Sequence, residues 1–475
     1  MGQEIDTVQF EAHHFVEFKK RLEQETELLA QWARASKLSD RGSPMAGFEL
    51  EACLVDHRFA PACINQRFMQ RMNNPLVAPE LAQFNVEFNC RPHLLMESAL
   101  SNMERELQAI WRRGVRVANA CDAHLLSVGI LPTLQTSHLN MDCITPLNRY
   151  YALNEQVLRL CRDRRLRLDI VGSQRLELEH ENMMLEAAGT SFQVHLQAPF
   201  ERIHRLYNAA FAVAAPLVAI GANSPFLFGK DLWDESRIAL FEQSLGVGDY
   251  RNASPRRVGL GSGYVRESII ECFNENLRSF PVLLPMLFDG DARQLHHLRL
   301  HNGTIWRWNR PLVGFDDDGT PHVRIEHRVL AGSPSITDAV SDAAFFYGLV
   351  ESLGAEDAHL ETRLPFRQVE VNFHQACRYG LSAYVTWLDG KHVDIRNLLL
   401  EELLPLAHRG LLAFRIKSAE CDHYLEIVRQ RIVRDQNGAN WQRAFVKRYG
   451  CNLRGLTAAY IQRQQTGAPV HSWPL

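Results

Sequence analysis

One stretch constrains this chain more than any other: Gly47-Phe48-Glu49-Leu50-Glu51-Ala52-Cys53-Leu54-Val55-Asp56. Apolar residues alternate with two carboxylates, the pattern of a strand, and side chains two apart in a strand share a face. Glu49 and Glu51 therefore point the same way, about 7 Å apart, while Phe48, Leu50 and Leu54 pack the other side. Two like charges on one face of a partly buried sheet repel each other and lose hydration. A cation between them relieves both costs, and a divalent metal is the most economical choice. The alternative is an amphipathic strand with a solvated acidic face. Ligands elsewhere in the chain decide between the two.

Three further strand-like segments carry such residues. Gln83–Asn89 alternates with Phe84, Val86 and Phe88 on one side and Glu87 on the other. Thr190–Gln197 places Gln193, His195 and Gln197 on one face, and His322–Val329 does the same for Arg324, Glu326 and Arg328. If these strands share one sheet, the faces converge on a site of carboxylates, one imidazole and guanidinium groups. Carboxylates and His suit Mg2+ or Mn2+, and Arg suits phosphate oxygens. Such a set describes phosphoryl transfer on a sheet rather than on a glycine loop. Gly221–Lys230 and Gly259–Gly263 lack the spacings of nucleotide loops.

Helical spacing is predicted over 12–37, 98–120, 146–168, 206–220 and 234–243, and from 335 to about 463. Short strands are predicted over 124–131 and 301–313, and residues 245–265 read as a long Gly- and Arg-rich loop. Strands lie mainly in the first 330 residues and helices fill the tail, which predicts an α+β class. Asp316-Asp317-Asp318 reads as a solvated turn, and His13-His14 and His296-His297 as surface or core histidines. Trp306, Trp308 and Arg310 either frame a nucleotide or pack the sheet.

At 475 residues, with 46% hydrophobic and 23% charged, the chain is long and apolar enough for a large globular core. Its net charge of −3 gives no reason to expect nucleic acid or a membrane as partner. The basic stripe from Arg409 to Arg463 reads as a solvated face or an oligomer contact. Ten cysteines show no C-x-x-C pair and no cluster at zinc spacing, so reduced thiols in a cytoplasmic protein are expected. The polar N-terminus is unlike a secretory signal, and Asp6 spoils a myristoylation pattern. The longest apolar run, Ala209–Ala222, has 14 residues, too few to span a bilayer.

Several pieces, in order, resemble one family: GFELE at 47–51, QFNVEFN at 83–89, TPLNRYY at 145–151, TSFQVHLQ at 190–197 and ANSPFLFG at 222–229. WDESRIALFEQS at 233–244, HNGTIWRW at 301–308, HVRIEHRV at 322–329 and GAPVHSW at 467–473 continue the set. The chain resembles the carboxylate–amine ligases of the glutamate–cysteine ligase type 2 group, within the glutamine-synthetase-like superfamily. The resemblance implies a curved antiparallel β-sheet with helices on its convex face and a helical C-terminal part. It implies one catalytic domain over 1–475, with a strand-rich core over about 44–330 and the helical part over about 335–475.

In such enzymes ATP phosphorylates the γ-carboxylate of glutamate, and an amine attacks the acyl phosphate to form an amide. The implied metal set is Glu49, Glu51, Glu87, His195 and Glu326, with Glu80 as a further carboxylate, for Mg2+ or Mn2+. Arg328 is implied to grip the transferring phosphate, and Arg237, with Gln193 nearby, to pair with the glutamate α-carboxylate. Arg324, Trp306 and Arg310 fall with substrate or ATP. The partners implied are glutamate, an amine and ATP; a homo-oligomer is left open, and cysteine as the amine would put the chain in glutathione biosynthesis. Two rivals stand beside this reading. One keeps the fold but uses another carboxylate, amine or guanidino acceptor. The other is a non-catalytic binding or regulatory protein, which would require lost ligand positions.

Overall fold

A computed structural model of the protein describes residues 4–39, 42–161, 165–245, 256–355 and 360–475. Its centre is an eight-stranded antiparallel sheet of β1 (Met45–Val55), β2 (Val77–Pro79), β3 (Asn85–Asn89), β4 (His93–Leu94), β5 (His124–Leu126), β6 (Ser191–Gln197), β7 (Asn309–Phe315) and β8 (Pro321–Ala331). The order is β7-β8-β6-β1-β3-β2, and β4 and β5 pair with opposite ends of β1. The sheet is curled into an open half-barrel.

Alternation decides which face of the sheet is covered. Phe48, Leu50, Val86, Phe88, Phe192, Val194, Leu196, Val323 and Ile325 are all buried on the convex side. Helices α1 (Ala12–Arg34), α2 (Ala99–Ala120), α3 (Phe200–Gly221) and α4 (Ile336–Ala355) lie among the elements around it. The α3 and α4 helices pack on each other and on the back of the sheet. Phe346 of α4 stacks on His327 with centroids 4.6 Å apart, and the Tyr347 hydroxyl donates to the His195 carbonyl at 3.0 Å. These contacts pin the strands that carry the polar face.

Several expected elements differ. Residues 301–313 do not form one strand: His296–Gly303 is a helix, followed by short Trp306–Arg307 and then β7. His297 and Leu298 sit one turn before His301, and the ion pair of His297 with Glu25 of α1, at 2.6 Å, anchors that turn. The helix expected to Leu168 ends at Leu160, and Leu166–Val171 pairs with Arg175–His180 in a hairpin. There Leu166, Leu168 and Ile170 are buried while the residues between them are exposed, a period of two rather than 3.6. β5 stops at Leu126, because the N–H of Ser127 donates to Gln464 Oε1 at 3.0 Å and its carbonyl accepts from Gln464 Nε2 at 2.8 Å. Of the expected loop at 245–265, residues 246–255 lie outside the described residues.

The cysteines need a correction too. Cys63 and Cys143 form a disulfide with Cα atoms 5.7 Å apart, joining segments 80 residues apart in sequence. Nothing in the local spacing marks that pair; of the other eight cysteines only Cys451 is exposed. The α3 helix, 22 residues long, is by length and composition apolar enough to cross a membrane, longer than the 14-residue run suggested. In the structure it is a core helix, 89% buried over its most apolar window.

Candidate active site

Residues directly opposite one another in an antiparallel pair point to the same face. Glu49 lies opposite Gln193, and Glu51 opposite Glu87. His195 lies opposite Glu326, which in turn lies opposite Arg310, and Arg324 opposite Gln197. The pairing thus lays these side chains out across the concave face. A bulge between His327 and Leu330 adds one residue to β8. Arg328, two residues on, stays on the side of Glu326, whose Oε1 accepts from its Nη1 at 3.2 Å.

A cleft of 570 Å³ opens over this face. Its walls hold Glu49, Glu51, Glu80, Glu87, Glu186 and Glu326, facing Arg149, Arg299, Arg310, Arg324 and Arg328, with Gln193, Tyr150, His296 and Trp306. His195 is buried at its floor. The charges are sorted. Glu326 accepts two hydrogen bonds from Arg310, both 3.0 Å. Burial raises its pKa, but Arg310 and Arg328 more than reverse this and hold it at about 2. Glu51 accepts from the Ser191 N–H at 2.6 Å and from Gln193 at 3.0 Å, yet burial still leaves it above the ordinary range.

At the other end the carboxylates crowd. Burial and then Glu49 push Glu87 up to about 7, although Asn89 donates to it at 2.8 Å. Burial and Glu51 bring Glu186 to about 7, and burial with Glu87 raises Glu80 well above the usual range.

The metal test turns on His195. One donor atom each from Glu49, His195 and Glu326 lies within 4.8 Å of the others. The Nε2 of His195 is 3.2 Å from Glu49 Oε1 but outside hydrogen-bond geometry, so this buried nitrogen is orphaned. Buried polar atoms without partners are rare and call for a reason. Two carboxylates and one imidazole suit Mg2+ or Mn2+. One adjustment is needed. Arg324 Nε donates to His195 Nδ1 at 3.3 Å, and a metal on Nε2 moves the ring proton to Nδ1, so Arg324 must turn away. With that, the donor set fits a divalent ion.

Not every expected residue reaches the cleft. Arg237 does not line the cleft: it is buried, donating to Glu235 at 3.1 Å and to the Val329 carbonyl at 2.6 Å, with its guanidinium over Trp308. Trp306 lines the cleft, whereas Trp308 is fully buried and donates to Glu242 at 3.0 Å. Asp316 is held by Ser39 at 2.9 Å and His322 at 3.1 Å, away from the cleft. Glu186, Arg149, Arg299 and His296 were missed. Glu186 sits in a 3-10 turn, Met183–Ala188, and the others on helices, so no strand alternation announced them. Only Arg149 fell within a motif, TPLNRYY at 145–151.

The sequence profile of the glutamate-cysteine ligase family 2 matches residues 45–468. The chain belongs to that family. It is thereby a carbon–nitrogen ligase. Two solved structures share the fold. A glutamate–cysteine ligase from Francisella tularensis, in complex with AMP, is 11% identical with a TM-score of 0.54, and the match covers 90% of each chain. A bifunctional glutathione synthetase from Pasteurella multocida is 12% identical at a TM-score of 0.54, covering 92% of this ligase and 53% of that chain. No curated protein matches the sequence. The family and the curved antiparallel sheet expected from the ordered motifs are therefore both found. Family and neighbours together support an ATP-dependent carboxylate–amine ligase.

Proposed function

We propose that this ligase joins the γ-carboxylate of glutamate to an amine, with ATP activating the carboxylate as an acyl phosphate. The observation that carries the reading is the convergence of Glu49, Glu326 and His195, with its orphaned Nε2, beside Arg310, Arg324 and Arg328. Glu49, His195 and Glu326 would hold Mg2+ or Mn2+, with Glu51, Glu87 and Glu80 beside them, and the ion would spread the phosphate charge during transfer.

A carboxylate oxygen of glutamate attacks the γ-phosphorus and ADP leaves. The amine nitrogen then attacks the acyl carbon, phosphate departs, and the nitrogen loses a proton. Arg328, whose buried Nε has no hydrogen-bond partner, and Arg310 take the oxygens of the transferring phosphoryl group. Arg324 supports them, and Trp306 offers a face to the nucleotide base. The acidic end of the cleft suits the ammonium of an amino acid, and Arg149, beside Tyr150, suits its carboxylate. Arg237 ties β8 to Glu235 through the Val329 carbonyl, while Gln193 orients Glu51. Glu186, which burial holds at about 7, takes the proton of the amine, since a base works best near the ambient pH.

With cysteine as the amine the reaction belongs to glutathione biosynthesis. The test is ADP release with Mg2+, with and without glutamate, over a panel of amines including cysteine, with products read by mass spectrometry. A γ-glutamyl amide with one amine is the expected result. Turnover that does not depend on glutamate overturns the donor assignment, and no turnover with any donor overturns the catalytic reading.

A further inference from the structure

Among the described residues a second cluster brings together metal-binding side chains: Cys90, His93 and Glu106. It lies on the other face of the sheet. Asn89 is paired with Glu49 on the concave face, so Cys90, one residue on, turns to the convex face. His93 lies opposite Ala46, the neighbour of Gly47, which itself lies opposite His195 on the concave side. Glu106 comes down from α2, which covers that convex face through contacts such as Trp111 on Phe88 at 5.4 Å between ring centroids.

The three donors already converge on one oxygen. Cys90 Sγ is 3.3 Å from Glu106 Oε2, and His93 Nε2 is 3.0 Å from the same atom. Around a tetrahedral zinc ion, bond lengths of about 2.3 Å to sulfur and about 2.0–2.2 Å to nitrogen and oxygen put neighbouring donors roughly 3.4–3.6 Å apart. Both distances to Glu106 are thus within a few tenths of an ångström of ligand spacing, and all three donors lie within 4.8 Å of one another. Arg91 occupies the other oxygen, Glu106 Oε1, at 2.6 Å, which leaves Oε2 for a metal and offsets negative charge. Cys90 is buried, whereas the side chains of His93 and Glu106 are 28% and 13% exposed, so the fourth position opens to water. Cys90, Arg91, Pro92 and His93 form a C-x-x-H turn, with the fixed φ of proline limiting its freedom.

We propose that Cys90, His93 and Glu106 form a zinc site, separate from the cleft, that staples β3 and β4 to α2. A thiolate and an imidazole beside one carboxylate select a borderline-soft ion, unlike the oxygen-rich cleft. The thiol proton passes to solvent as the sulfur–metal bond forms. Because the Cys90 N–H donates to the Phe48 carbonyl at 2.9 Å, the ion would also steady β1 behind Glu49. The proposal does not rest on the ligase reading.

Cobalt(II) added to the metal-stripped full-length protein tests it, because only a thiolate ligand produces a near-ultraviolet sulfur-to-cobalt charge-transfer band. The cleft set contains no sulfur. The band should appear with one equivalent of cobalt and vanish when zinc displaces it. It should persist in Cys451→Ser and in Glu49→Gln and be lost in Cys90→Ser. Zinc should also raise the melting temperature of the parent by about 3 °C. If Cys90→Ser fails to fold, His93→Gln, at a partly exposed position, decides: zinc affinity should fall at least ~10-fold. Absence of the band in the parent, its survival in Cys90→Ser, or unchanged zinc affinity in His93→Gln overturns the proposal.

Discussion

Replacing Glu326 with glutamine removes one negative charge from between two guanidinium groups and keeps the shape. The carboxylate accepts two hydrogen bonds from Arg310 at 3.0 Å and one from Arg328 at 3.2 Å, and its side chain is 2% exposed. Its pKa, held at about 2 against an ordinary 4.5, corresponds to ~3 kcal/mol of stabilisation at neutral pH. A depressed carboxylate contributes fully above its unfolded pKa, and the contribution is lost as pH falls through the folded value. The amide cannot supply it, and buried cations without a partner are costly. A loss of ~3 kcal/mol is a large share of a typical ~5–15 kcal/mol, so Glu326→Gln should fold with a lower denaturation midpoint. Catalysis should fall further, because a ligand and an electrostatic anchor are lost together: ~3–4 kcal/mol, or on the order of 10²- to 10³-fold in rate. Urea unfolding at pH 7 and ADP release at saturating substrates measure the two effects. An unchanged midpoint refutes the ion cage, and ADP release within about tenfold of the parent refutes the role of Glu326 in the metal set.

Glu87→Gln should do the opposite to stability: its carboxylate already holds a proton near pH 7, so the metal-free variant should be as stable as the parent or more so, while turnover falls. Equal destabilisation by Glu87→Gln and Glu326→Gln would refute the charge sorting. Because the folded values of Glu87 and Glu186 are raised to about 7, the folded state binds more protons than the unfolded chain between pH about 4.5 and about 7. Metal-free stability should therefore drop by a few kcal/mol as pH rises through that window, and Mn2+ should flatten the slope; a rising urea midpoint contradicts this. Arg328→Lys should lose on the order of 10²-fold or more in turnover, since an ammonium cannot reproduce the planar fork. Arg237→Met strands buried Glu235 and should cost about 3–5 kcal/mol without a selective rise in the KM for glutamate; a stable variant with only that rise would return Arg237 to substrate binding.

Much of the candidate site was legible because strand alternation is a local property. Period two alone placed Glu49 with Glu51, Gln193 with His195, and Arg324 with Glu326 and Arg328, and the ordered motifs joined those strands into one family's sheet. Where the period was shared between helix and strand, or broken by a short turn, the reading failed. His296–Gly303 is helical, the segment after Leu160 has helical spacing yet forms a hairpin, and Glu186 on its 3-10 turn carries no signal.

What the sequence determined by itself is the set of polar faces and the apolar ones that bury them, since each depends only on neighbours two residues away. The tertiary structure alone decided which faces meet. His195 stands opposite Glu326 across 131 residues of sequence, Cys63 reaches Cys143, and Glu106 descends on Cys90 and His93. It also decided that Arg237, on the same chain of motifs, is held by Glu235 and the Val329 carbonyl and does not line the cleft. Register and crossing geometry come from non-local burial, which no local period encodes.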